Sequence, residues 1–201
     1  MGMFTIITEE AFNELQVEAG VLLKTFNPAS PTTPSSSDII TATTGGITAS
    51  CVPKYDDYFA EIDNAPNNVM EGKRITGHDC KISTTAVGTS ADVIRLSLGA
   101  ADVTVASGKI EPRRQLKTSD FQDIWWVGDR ADGGIVAIQL KKALSTGGFS
   151  LKTTKNGKGQ LAIELTGHTT LATQNEVPMV FYSIEGDDAT GDTTGDTTGN
   201  T

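Results

Sequence analysis

His78-Asp79-Cys80 is the one stretch of this 201-residue chain in which an imidazole stands close to a thiol. Such a neighbour can draw off the thiol proton and leave a thiolate nucleophile. Successive side chains of a strand point to opposite faces, so His78 and Cys80 can share a face while Asp79 can orient neither. The spacing therefore favours a strand end of small and polar residues over a catalytic centre. His168 lies far off among threonines. Two histidines with no convergent cysteine or carboxylate pattern do not make a transition-metal site. Asn156-Gly157-Lys158-Gly159 lacks both the P-loop spacing and a following helix, and reads as a turn rather than a phosphate cradle. Asp56-Asp57 and Asp187-Asp188 are too generic for acid–base work. Arg113, Arg114 and Lys117 form the one basic cluster. In an acidic chain they read as a salt-bridging patch, internal or to a neighbouring subunit, more than as a phosphate site. No catalytic residue, metal ligand or cofactor is expected.

The elements that must carry these residues are strands. Thr, Ser and Gly are abundant and only 37% of residues are hydrophobic, which suits short twisted strands and turns better than a helical bundle. The length fits one domain with a core that needs no staples. A formal net charge of -9 sets the surface against nucleic-acid binding. The N-terminus has no basic region before Glu9 and Glu10, and no apolar run approaches membrane-spanning length, so a soluble protein is expected. Cys51 and Cys80, far apart and without a C-x-x-C pair, read as free thiols rather than as a disulfide scaffold.

Along the chain, Thr8 is placed to N-cap a short helix carrying Phe12 and Leu15, with Gly20 as its stop. Val21, Leu22 and Leu23 then read as a strand. Residues 26–38 hold Pro28, Pro31 and Pro34 and no apolar period, which makes a long exposed loop. Residues 39–44 and 47–52 flank Gly45-Gly46 and read as a hairpin. Thr89 or Ser90 caps a helix that Gly99 ends. Residues 103–110 read as one strand, and 123–140 as a hairpin turning through 128–134. Its Ile124, Trp125, Trp126 and Val127 are apolar in succession, so both faces of that strand should be covered.

Across Asn156-Gly157, the apolar Phe149, Leu151, Leu161, Ile163 and Leu165 are all odd-numbered. Paired positions must then sum to an even number, which requires an odd loop and excludes a two-residue turn. A type I turn with Gly157 in a G1 bulge meets that condition. Residues 178–185 form a last strand. From 186 to 201 a four-residue Thr/Gly/Asp repeat carries Asp187, Asp188, Asp192 and Asp196 and no basic residue, and should be a disordered acidic tail.

Residues 54–73, with Tyr55, Asp56, Asp57, Tyr58 and Phe59 running into Ile62-Asp63-Asn64-Ala65-Pro66-Asn67-Asn68 and then Glu71 and Lys73, resemble a stretch of the siphophage tail tube family. Residues 15–24 and 44–47 are similar to that family's opening, in the same order. The likeness covers about residues 10 to 185 and omits the Pro/Ser loop and the tail. It implies two packed antiparallel sheets, as a β-sandwich or barrel, flanked by one short α-helix. It also implies hexameric rings of this chain stacked into a tail tube, the conduit for DNA ejection from a virion whose parts are made in the host cytoplasm. Partners would be the chain itself, the tape measure, distal tail and terminator proteins, and DNA passing without specific binding. A secretion-system tube subunit would share this fold. Expected contact residues are Ile62, Asp63, Asn64, Pro66, Asn67, Asn68 and Glu71 in the turn, and Pro28, Pro31 and Pro34 in the loop. A carbohydrate-binding β-sandwich, stacking sugars on Trp125 and Trp126 or on Tyr55 and Tyr58, is the alternative. Exposure of those rings separates the two.

Overall fold

The computed structural model describes residues 8–66 and 68–186. A short helix α1 (Glu9–Asn13) leads into β1 (Gln16–Leu23), and β2 (Thr43–Asp57) is followed by β3 (Lys73–Ala86). Helix α2 (Ala91–Leu98) precedes β4 (Ala101–Thr104) and β5 (Lys109–Pro112). Then come β6 (Gln122–Arg130), β7 (Ile135–Ser145), β8 (Ser150–Lys152), β9 (Gln160–Thr166) and β10 (Met179–Ile184). The fold is mainly β, with one antiparallel sheet of eight strands and a separate two-stranded sheet made by β4 and β5.

The large sheet folds back on itself through β7. Its first part pairs with β6 and β10, while Leu144 and Ser145 at its end pair with β9. One half is thus β1-β6-β7-β10 and the other β2-β3-β9-β8. Between them lies a core to which both halves contribute, including Leu22, Ile82, Ile124, Leu140, Leu161, Ile163 and Leu165, with Val93 and Leu96 from α2. The period-2 pleat explains which residues enter it. In β6, Ile124 and Trp126 join this core, while Trp125 and Val127 face the other way into a second cluster with Leu23, Ala137, Phe26 and Tyr182. Phe26 and Tyr182 each stack at 5.6 Å from the Trp125 ring. Both faces of β6 are covered, as its run of four apolar residues requires.

Helix α2 is set by local chemistry. The Ser90 hydroxyl accepts the Val93 N–H, and Gly99 at φ 75 lets its own N–H reach the carbonyls of Arg95 and Leu96. Ser145 Oγ donates to the Ser97 carbonyl at 2.7 Å, which ties the helix to β7.

Several expectations from sequence are corrected. Gly20 does not stop a helix; α1 ends at Asn13, before Leu15, and Gly20 sits inside β1 at φ 67, where the register against β6 shifts between Val17 and Val21. A Cβ there would lie 2.5 Å from the Val127 carbonyl oxygen and 2.7 Å from Trp126 Nε1, so the close packing of Trp126 demands glycine. Gly45 and Gly46 do take positive φ, but they form a bulge within the single strand β2, where Thr44 pairs Thr85 and Ile47 pairs Thr84. The Thr84 hydroxyl donates to the Gly46 carbonyl at 2.9 Å and satisfies the group that the bulge frees. Residues 103–110 are two strands, because 105–108 turn, with Ser107 and Gly108 donating back to Thr104 and Val105. The β8–β9 register keeps the even sum, Leu151 facing Leu161, but across a seven-residue loop in which Gly157 is not at positive φ, so there is no G1 bulge. Residues 187–201, where the acidic repeat falls, lie outside the described residues.

Candidate assembly interface

β2 has fifteen residues and stands at the end of its half-sheet, with only β3 beside it among the described residues. β9 supports β3 from Lys81 to Ala86, and beyond Cys80 β2 and β3 pair only with each other among the described residues. They make an arm that leaves the sandwich. Pro53 lies on this edge strand, where its missing N–H removes no bond that β3 needs.

At the tip, Tyr58 donates its N–H to the Gly72 carbonyl at 3.0 Å, and residues 57–65 wind through successive tight turns. Asn64 and Asn68 supply the left-handed positions at φ 63 and 61, a conformation asparagine tolerates. Asp57 fixes the base: its carboxylate takes Lys73 Nζ at 3.0 Å and the Phe59 N–H at 3.1 Å. The Lys73 hydrogen bond first, then the Phe59 amide, hold its carboxyl below the ordinary value. A Cβ on Gly72 would lie 2.9 Å from the Phe59 ring, so the ring folds over the glycine.

Six large apolar residues of the arm are exposed. Val52, Tyr55, Tyr58, Ile62 and Ile75 are each more than half exposed, and Met70 is 81% exposed. Tyr55 and Ile75 face each other across the ladder. Ile62, Asp63, Asn64, Pro66, Asn68 and Glu71 all lie on the surface of the tip, while Asn67 is outside the described residues.

The Pro/Ser loop behaves differently from a loose excursion. Its feet are clasped by Lys24 N–H to Asp38 O at 2.8 Å and Ile40 N–H to Leu22 O at 2.9 Å. Asp38 accepts from the Ser35 and Thr25 hydroxyls, which in that order lower its pKa. Pro31 is exposed, but Pro28 and Pro34 are half-buried. Pro31 and Pro34 line, with Glu18, Val21, Val127 and Ile135, a groove of about 580 Å³ on the outer face of β1 and β6.

The residues read for chemistry go elsewhere. Cys80 is fully buried, and burial first, then the neighbouring Cys51 thiol, push its pKa up to about 12, the reverse of an activated nucleophile. His78 and His168, remote in sequence, line one groove of about 520 Å³ between the arm's root and residues 167–178. His168 Nδ1 lies 3.2 Å from the Lys142 carbonyl and its ring meets Phe121 edge-on at 5.4 Å, so it is held by structural contacts. Among the described residues no group of three His, Cys, Asp or Glu side chains is placed to hold a metal, and no helix is long and apolar enough to cross a membrane. The basic cluster is largely spent internally: Arg113 reaches Asp120 at 2.6 Å and Asp102 at 2.9 Å, and Lys117 reaches Asp102 at 3.0 Å. Trp125 is 7% exposed and cannot serve as a sugar platform, whereas Tyr55 and Tyr58 have the exposure that reading needs.

No family model and no curated protein matches the chain. Among solved structures, a chain from the virion of a native gene transfer agent (GTA) particle is similar, with a TM-score of 0.40 and 12% identity over 82% of this chain and 95% of that one. That likeness is too loose to define a family.

Proposed function

We propose that this chain is a virion structural subunit, without enzymatic activity, that forms hexameric rings stacking into a phage tail tube. The observation that carries the proposal is the arm. A fifteen-residue edge strand whose outer side carries no paired strand among the described residues, beside exposed Val52, Tyr55, Ile62, Met70 and Ile75, is a surface that proteins normally blunt or cover. A neighbouring copy laid along β2 would continue the half-sheet and cover those side chains. Most of the arm, residues 54–73, is also the stretch that resembles the tail tube family.

In this reading the tip residues Ile62, Asp63, Asn64, Pro66, Asn67, Asn68 and Glu71 contact the next subunit, and Pro28, Pro31 and Pro34 contact the next ring. The net charge of -9 suits a conduit, since a wall that bound phosphates would hold the DNA it must release. Purified protein at high concentration, viewed by negative-stain microscopy, is expected to show six-fold rings or striated tubes. A chain that stays monomeric by light scattering at every concentration, even with other tail components added, would overturn the proposal. The exposed Tyr55 and Tyr58 favour the carbohydrate-binding alternative as far as exposure goes. Glycan-array binding by a persistently monomeric chain would establish it.

A further inference from the structure

Cys51 and Cys80, 29 positions apart in sequence, are direct partners across β2 and β3, and their sulfurs are 3.0 Å apart. Directly opposed residues of an antiparallel pair have Cα atoms about 4.5–5.5 Å apart and side chains on the same face, which falls inside the range a disulfide spans. Both thiols are free. The position is specific: Cys80 is the last residue of β3 before β9 support begins, and its carbonyl accepts the Gly167 N–H at 2.9 Å. We propose that Cys51 and Cys80 are an oxidation site, forming an intramolecular cross-strand disulfide that closes the root of the arm when the protein meets an oxidising medium containing small-molecule disulfides.

The two thiols have unequal access. Cys51 is half-buried, while Cys80 is fully buried and held protonated by its surroundings. Cys51 therefore reacts first: its sulfur displaces one thiol from an oxidised small-molecule disulfide such as oxidised glutathione, giving a mixed disulfide and one reduced thiol. The Cys80 sulfur then attacks Cys51, and the second small thiol leaves with the Cys80 proton. Two protein thiols are oxidised and one small disulfide is reduced, so electrons and protons balance. In a reducing cytoplasm the pair stays open, and outside it the pair closes. The bond encloses residues 52–79, which is the whole arm, and needs no second subunit, so it stands or falls apart from the ring reading.

The test uses the full-length chain equilibrated in glutathione buffers from fully reduced to fully oxidised, quenched in acid, alkylated and weighed. Expected is a monomer that loses both alkylatable thiols together and two hydrogens in mass as the buffer becomes oxidising. Two thiols still alkylated after unfolding from fully oxidised glutathione, or disulfides formed only between chains, would overturn the proposal. The order of attack is read from variants. Cys80→Ser should accumulate a glutathione adduct on Cys51, and Cys51→Ser should gain one on Cys80 at least tenfold more slowly. Equal rates would overturn that order.

Discussion

β6 and the outer part of β2 both carry aromatic and aliphatic residues in close succession, yet the chain treats them in opposite ways. Ile124, Trp125, Trp126 and Val127 are covered from both sides within one molecule, the inner face by the sandwich core and the outer by Phe26 and Tyr182. Val52, Tyr55, Tyr58 and Ile62 have no such cover. The difference lies in what each strand is given to pack on: β6 sits between β1 and β7 with a loop folded over its outside, whereas beyond Cys80 the arm consists of two strands alone. A two-stranded ribbon is marginal in water by itself. Apolar residues that the fold could have buried and did not are the part of the sequence that folding leaves unexplained.

The contrast is sharpest in stability. Trp125→Ala removes the ring on which Phe26 and Tyr182 stack, and should lower unfolding free energy by about 3–5 kcal/mol in denaturant titration. Gly20→Ala places a methyl 2.5 Å from the Val127 carbonyl at a positive φ, and should cost about 2 kcal/mol, read the same way. A smaller effect is expected from acid. The Ser35 and Thr25 hydroxyls lower the Asp38 carboxyl below its ordinary value of 3.8. A depressed carboxylate contributes stability above the unfolded pKa and loses it as pH falls through the folded one. Trp125 emission, reporting on Phe26 at the loop's foot, should therefore shift as pH drops below about 3.8, and Asp38→Asn should flatten that step. Least of all, Ile62→Ser with Met70→Ser should leave unfolding within about 0.5 kcal/mol of wild type while greatly reducing ring yield by light scattering. A stability loss as large as that of Trp125→Ala would break the comparison, by making the arm part of the body.

What sequence could reveal follows the same division. The covered β6, the Ser90 and Gly99 caps of α2, and the even-sum register of β8 against β9 are consequences of local pattern, and the structure has them. Gly45-Gly46 and Gly20 were misread because a positive φ serves a turn, a helix stop or a bulge alike, and only the distant partners β3 and β6 decide which. The meeting of Cys51 with Cys80 depends on that bulge: with Gly45 and Gly46 paired in the ladder after Thr44, Cys51 would face His78 instead. Residues 103–110 read as one strand, but Ser107-Gly108 mark the turn that divides them. For the candidate interface, the polar turn formers of 62–68 were legible as a tip. The half-burial of Pro34 was not, because it comes from a loop folding back over β1.

That loop's clasped feet carry a consequence of their own. With Leu23 bridged to Ile39 and the Lys24 and Ile40 amides bonded across the neck, the two ends of residues 25–38 are held by the sandwich and not by the loop's contents. Closure entropy grows only with the logarithm of length, about 0.6 kcal/mol for a doubling. A foreign peptide spliced in between Pro31 and Thr33 would be carried at little thermodynamic cost. If the chain assembles as proposed, the insert would fall at the contact of Pro28, Pro31 and Pro34 with the next ring, so it would burden the stacking of rings and not the folding of the subunit.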